Sequence, residues 1–282
     1  MSFTVSGISV YSDSRHITRD LPIIIQAPKF IQYIETLDRN LLDITGIRVD
    51  AVKWFCNPVN PLPSKLGFLW IEVIAADRRT GNPLPGVVFL RGGAVAVYMR
   101  VKVEDRLFTI LTEQIRVPMG GKRREIPAGM LDANECFAGV MMNEIAQETG
   151  LTPPSIDELI PLGIIEPSAG GCDETIHLFY WETEISVERK DELLNTIHGE
   201  PDENESIRLH FVDAENYENV LHEIGDVKAI CAHYYARRKG LLIRNGETLL
   251  LPIDNFYFHG FLGVCAVFTV NIIVLYLLRW AS

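Results

Sequence analysis

Glu144 and Glu148 stand four residues apart in NECFAGVMMNEIAQET (134–149), a stretch that reads as a helix opened by Asn134 as N-cap and closed by Gly150 just past its end. At that spacing the two side chains share one helix face, with Gln147 beside them. Paired carboxylates on one face offer the hard oxygen donors that Mg²⁺ requires. Just upstream, Pro127-Ala128-Gly129 makes a tight turn whose backbone carbonyls could add a ligand. Taken alone, such a pair is the ordinary solvated face of a surface helix, so its meaning rests on what surrounds it. Gly139, inside the same helix, costs roughly 1 kcal/mol relative to alanine.

The chain has 282 residues, 48% of them apolar, enough for one large domain or a domain with an extension. Its formal net charge is −11. That argues against general nucleic-acid binding, which needs a basic face to release counterions. A phosphate substrate would need metal ions or local arginines to offset the repulsion. Five scattered cysteines, with no C-x-x-C pair, suit neither a structural zinc site nor a disulfide framework; they suit a reducing compartment. The N-terminus has no apolar run of the secretory kind.

The elements that must hold the carboxylates are mixed. SGISVY and LPIIIQ, within residues 1–30, look extended, and apolar spacing predicts a helix over 28–44. From Ile47 to about Val103, β-branched and aromatic runs separated by Asn-Pro, Thr-Gly-Asn-Pro and Arg-Gly-Gly predict strands joined by turns. RLFTILTEQIRV at 106–117 is another strand, followed by the turn PMGGK; IPLGIIEP and TIHLFYWETEI return to strand character. Residues 213–239 read as one helix, acidic early and basic late as the helix dipole favours. Without regular βαβ alternation, the expectation is α+β or an α/β/α sandwich.

The wider spacing gives the glutamate pair its meaning. Gly129 is followed after five residues by Glu135, and after seven more by Asn143-Glu144-Ile145-Ala146-Gln147-Glu148-Thr149-Gly150-Leu151. This resembles the Nudix box, with Asn143 where the box has arginine and Gln147 where it has the first of two adjacent glutamates. LTEQIRVP (111–118), REIPAGML (124–131) and Pro167, sixteen residues after Leu151, resemble the ADP-ribose and ADP-sugar branch of that family. The likeness is greatest to plant-type ADP-sugar diphosphatases and runs from about residue 28 to 240. It implies a Nudix α/β/α sandwich with an N-terminal extension, working as a homodimer. The domains are then expected at 1–75 (extension, helix plus strands, dimerisation) and 76–245 (Nudix hydrolase).

The resemblance also implies roles. Glu144, Glu148 and the Ala128 carbonyl would hold Mg²⁺, with Mn²⁺ as an alternative. Arg116 would contact the diphosphate, as the fork of a guanidinium suits phosphate oxygens, and Glu125 and Met130 would lie at the substrate. PDENESIRLHFV (201–212) resembles the loop that carries the catalytic glutamate, so Glu203 and Glu205 are the candidate bases, with the choice between them open. The implied reaction is hydrolysis of an ADP-sugar or ADP-ribose to AMP and a sugar phosphate. A rival is a degenerate Nudix domain, serving as a nucleotide-binding or structural subunit of a membrane complex; Asn143, Gln147 and Gly139 favour it.

The C-terminal run FYFHGFLGVCAVFTVNIIVLYLL (256–278) carries no charge. As a helix it would span roughly 35 Å, enough for a bilayer core. Aromatic residues open it and Trp280 follows it, while Arg237, Arg238, Lys239 and Arg244 precede it. The expectation is a transmembrane tail anchor with the catalytic domain facing the cytosol, on the endoplasmic reticulum or the mitochondrial outer membrane.

Overall fold

In the computed structural model, residues 2–131, 137–200 and 205–242 are described. The chain opens with β1 (Ser2–Val5), β2 (Ile8–Tyr11), α1 (Arg15–Ile24) and α2 (Pro28–Thr36). Four strands follow: β3 (Leu42–Trp54), β4 (Leu66–Asp77), β5 (Pro83–Leu84) and β6 (Val87–Leu90). These six strands form one sheet in the order β1-β2-β3-β4-β5, with β6 also on β4. Its inner face packs on α1 and α2 through Ile8, Leu21, Ile24, Phe30, Ile47, Leu69 and Ile71, all essentially inaccessible. The first sheet thus runs on to Leu90.

Two expectations for this region are corrected. LPIIIQ falls mostly within α1, because Ile17, Leu21 and Ile24, spaced four and three apart, present one apolar stripe to the sheet. The stripe begins upstream of the apolar run, which is why the run alone looked extended. The helix expected over 28–44 stops at Thr36. There the Asp38 carboxylate accepts the Asn40 N–H at 2.8 Å and the Asp38 carbonyl accepts the Leu42 N–H at 2.9 Å. This local turn competes with the helix ladder, and Leu42 begins β3.

The second sheet comprises β7 (Ala94–Val103), β8 (Arg106–Arg116), β9 (Gly121–Glu125) and β10 (Ala128–Met130). After α3 (Phe137–Thr149) come β11 (Ile160–Ile165), β12 (Ile176–Glu184), α4 (Val187–Asn195), β13 (Arg208–Asp213), α5 (Tyr217–Ile224) and α6 (Val227–Arg238). The strand order is β11-β12-β7-β8-β13, with β10 on β7 and β9 on β8. The central β7 runs parallel to β12 over nine residue pairs, from Ile176 opposite Ala94 to Glu184 opposite Lys102. A strand buried on both faces reads as a continuous apolar run, as AVAVYMRV does. Val95, Val97, Met99 and Val101 meet α3 through Val140, Met141 and Ile145, and α4 through Leu193. From the opposite face, Tyr98 stacks on Tyr217 of α5 and meets His233 of α6 edge-on. Helices therefore cover both faces of this sheet, in a mixed α/β fold. Met1–Lys239 form one compact unit.

The helix expected over 213–239 is two helices. Gly225 adopts φ +64°, a left-handed conformation that ends α5, and Asp226 caps α6 by accepting the Lys228 N–H at 3.1 Å. α3 is described from Phe137 to its stop at Gly150, with φ +70°, as expected; Asn134, Glu135 and Cys136 lie outside the described residues, as do Glu203 and the apolar run at 256–278. Among the described residues no helix is long and apolar enough to cross a membrane. Cys56, Cys172 and Cys231 are free thiols.

One contact under α6 has a pH consequence. Thr109 donates to the Tyr98 hydroxyl at 3.4 Å, which in turn lies 3.2 Å from His233 Nδ1, so the imidazole accepts there and carries its proton on Nε2, 3.4 Å from Glu218. Burial pushes the His233 pKa down, against the opposing pull of Glu218. The folded state therefore resists a proton that the unfolded chain accepts near pH 6.5. The stability from this site is complete above that pH and drains away as pH falls through the lowered folded value. Urea melts at pH 7.5 and 5.5 should show wild type losing more stability on acidification than His233→Asn, which keeps an acceptor for Tyr98 but cannot be protonated.

Candidate active site

The site forms where the β9–β10 turn meets the C-terminal end of α3. Buried Ile126 anchors the turn, and the Pro127 carbonyl accepts the Val97 N–H at 2.9 Å. The Ala128 N–H is directed at α3, where it donates to Glu148 Oε2 at 3.0 Å. The Ala128 contact in the structure is thus made by its N–H, to the very carboxylate with which its carbonyl was expected to share a metal.

Glu148 is only 3% exposed. Burial pushes its pKa well above the usual carboxylate range, and the charges of Glu144 and Glu205 push it further; the Ala128 N–H and the charge of Arg116 pull the other way. Glu144 lies directly over the turn: a Cβ added to Gly129 would fall 1.9 Å from its Cδ. The glycine at that position therefore leaves the room that the Glu144 side chain occupies. Glu205 packs against Gly199, whose φ of +98° and absent Cβ allow the approach; an added Cβ would stand 2.8 Å from Glu205 Cβ. Fold and turn thus bring Glu144 over the turn that Glu148 contacts, and set Glu205, from a segment far along the chain, within electrostatic reach of that buried carboxylate.

Beside this acidic group runs a chain of alternating charge. Arg116, at the end of β8, donates from Nε and a terminal nitrogen to Glu125 Oε2 at 3.0 and 2.7 Å. Glu125 also faces Lys228 Nζ at 3.7 Å, and Lys228 lies 2.9 Å from Asp226. Burial penalises the Glu125 carboxylate, but Lys228 and Arg116 outweigh that and hold its pKa below the ordinary value. Met130 is half-buried in β10, opposite Ala94. Asn143 is exposed on α3.

Lys228 and Asp226 did not stand out in the sequence. Asp226 caps α6, and its other oxygen accepts the Ile126 N–H at 3.1 Å, bracing the β9–β10 turn from a helix one hundred residues away. The available signal was Gly225-Asp226, a stop followed by a cap, hidden inside an otherwise continuous helical pattern. Asp173 was also missed as a positioning group: it accepts the N–H groups of Arg91 and Gly92 at 2.7–3.2 Å and so fixes the turn that leads into β7.

Chemically, the Glu144 and Glu148 carboxylates are hard-oxygen donors of the kind a divalent cation takes. Among the described residues, no three His, Cys, Asp or Glu side chains are gathered closely enough to form a metal-binding group by themselves.

No model of a known protein family matches the chain. It is similar to Nudix hydrolase 14, chloroplastic, of Arabidopsis thaliana: 29% identical over 220 residues, covering 72% of this chain and 70% of the relative. It is also 30% identical over 152 residues to the ADP-ribose pyrophosphatase of Bacillus subtilis, covering 53% of this chain and 75% of that protein. A crystal structure of an ADP compounds hydrolase shares the fold, with a TM-score of 0.51 at 13% identity, over 73% of this chain and 98% of that one. With its glutamates on the helix after a P-A-G turn and these relatives on either side, the chain belongs to the Nudix hydrolase family, and is an enzyme of that type.

Gly129→Ala tests the packing of the turn. The added methyl must displace Glu144 while leaving an extended strand residue in place, so far-UV circular dichroism should be unchanged. Divalent-cation binding, read as a metal-dependent rise in melting temperature, should weaken about 10- to 100-fold, the scale for losing a contact that orients a ligand.

Proposed function

We propose that this enzyme hydrolyses the diphosphate of an ADP-sugar or ADP-ribose, giving AMP and the sugar 1-phosphate, or AMP and ribose 5-phosphate. The observation that carries the reading is the buried Glu148, 3% exposed, with Glu144 and Glu205 raising its charge burden and the Arg116–Glu125 pair beside it. Hydrolysis of nucleoside diphosphate compounds also accords with the names of the relatives.

Glu144 and Glu148, with the Ala128 carbonyl, would hold Mg²⁺, for which Mn²⁺ could substitute. When bound, the metal neutralises the diphosphate and stabilises charge in an in-line displacement. Arg116 holds a diphosphate oxygen, its guanidinium pre-oriented by the two hydrogen bonds to Glu125. Glu125 and Met130 border the substrate. Glu203 or Glu205 accepts a proton from water as the water oxygen bonds to phosphorus. The bridging P–O bond breaks, and the leaving phosphate carries away its electron pair.

The exposed Trp70 and Val87 on the N-terminal sheet, with Phe55 just past β3, support a homodimer formed through that extension. The uncharged run at 256–278 supports a membrane anchor with the catalytic unit on the cytosolic side, at the endoplasmic reticulum or mitochondrial outer membrane.

The test is AMP release from ADP-glucose and from ADP-ribose by the full chain in mild detergent, with Mg²⁺ and with EDTA, beside Glu148→Gln. Release should require metal and fall by about 10²–10³-fold in the variant, the scale for removing one electrostatic group from an active site. Glutamine keeps an oxygen for the Ala128 N–H and removes a buried charge, so metal-free Glu148→Gln should melt above metal-free wild type. Mg²⁺ at a hundred times its Kd should add about 2.7 kcal/mol to wild type and little to the variant. A folded wild type with no release and no metal-linked stabilisation would instead fit the degenerate membrane-complex subunit.

A further inference from the structure

Gln147 departs from the Nudix box, and the structure gives that departure a use. Its carboxamide Nε2 donates to Glu200 Oε1 at 2.8 Å, and its main-chain carbonyl accepts the Gly199 N–H at 2.9 Å. A carboxylate only accepts hydrogen bonds, so the amide must present its NH₂ to Glu200. A glutamate in place of Gln147 would instead set two carboxylates against each other.

These contacts reach the acidic cluster in short steps. His198 and Ile207 exchange two backbone hydrogen bonds, each 2.9 Å, and both residues are buried, so these two positions form feet fixed side by side. The His198 Nε2 donates to the Leu193 carbonyl at 3.0 Å, tying that foot to α4. Above the feet, the Glu205 N–H donates to the Glu200 carbonyl at 3.2 Å, and Glu205 Cβ sits against Gly199 Cα. Gly199 and Glu200, the two residues that Gln147 holds, are therefore the two that Glu205 rests on.

We infer that Gln147 is a positioning residue, latching Gly199 and Glu200 to α3 and so fixing the place of Glu205, which rests on them. The inference rests on the hydrolase reading above and deepens it. A box position that carries a second glutamate in the family pattern here carries a neutral donor, matched to an acid across the gap. The two residues form a pair that can be exchanged: Gln147→Glu combined with Glu200→Gln would rebuild the same hydrogen bond in the opposite direction.

The experiment compares wild type, Gln147→Glu, Glu200→Gln and the double variant Gln147→Glu/Glu200→Gln, as full chains with Mg²⁺ and ADP-ribose, following kcat and KM separately. Hydrogen exchange at the Glu205 amide is measured on the same four proteins. Gln147→Glu should lower kcat by up to about 10²-fold, the scale of a misplacement of about 1 Å, with KM little changed. It should also speed exchange at Glu205. The double variant should recover most of the kcat and the slow exchange. A Gln147→Glu enzyme equal to wild type in both measurements would overturn the latch. A double variant no better than Gln147→Glu would overturn it too, and would assign Gln147 a direct role at metal or substrate. Should wild type release no AMP, the hydrolase reading fails, and the exchange pattern alone decides the latch: rescue in the double variant supports it and unchanged exchange in Gln147→Glu overturns it.

Discussion

Removing a carboxylate from water is among the more expensive things a fold can do, costing several kcal/mol unless the charge is paired or hydrogen-bonded. Glu148 is almost wholly buried, and two more glutamates raise its cost. Compensation comes directly to its own oxygens from the Ala128 N–H at 3.0 Å. Much of the surrounding architecture can be understood as holding that donor in place. Val97 fixes the Pro127 carbonyl, Asp226 fixes the Ile126 N–H, and Gly129 leaves space for Glu144.

Charge is segregated over a short distance. On one side stand Glu144, Glu148 and Glu205; on the other, Arg116, Glu125, Lys228 and Asp226 alternate in sign. The alternating chain is close to neutral in sum, so it does not cancel the acidic cluster, and Arg116 remains anchored rather than free to collapse onto Glu148. In a chain with net charge −11 this local order matters more than the global balance. At Arg116 an anion would meet a guanidinium already held in place by Glu125.

The two sheets contribute differently. The second sheet carries the site because β7, buried on both faces, can support helices on either side. It thereby presents α3 and the β9–β10 turn to each other. The first sheet touches that assembly through a few specific contacts. Lys29 of α2, which packs on the first sheet, lies under Gly92, and Phe89 of β6 is bridged to Cys172. These hold the Arg91-Gly92-Gly93 turn that Asp173 clamps, and this turn sets the entry of β7.

The sequence by itself determined the strands with strong β-branched runs, the stop of α3 at Gly150 and the register of Glu144 and Glu148 on one helix face. All are local, set by side-chain periodicity and backbone freedom within a few residues. It misjudged α1, α2 and the α5–α6 break, where a short-range competitor decided the outcome: the Asp38 turn, the stripe beginning before LPIIIQ, and the Gly225-Asp226 stop and cap. Only the tertiary structure decided which groups meet. Glu205 comes within electrostatic reach of Glu148 from 57 positions away and Lys228 to Glu125 from 103, distances at which no periodicity carries information. Gln147 shows the same division most directly. Its place in the helix was legible, but its use depended on Glu200, a partner that only the folded chain brings within 2.8 Å.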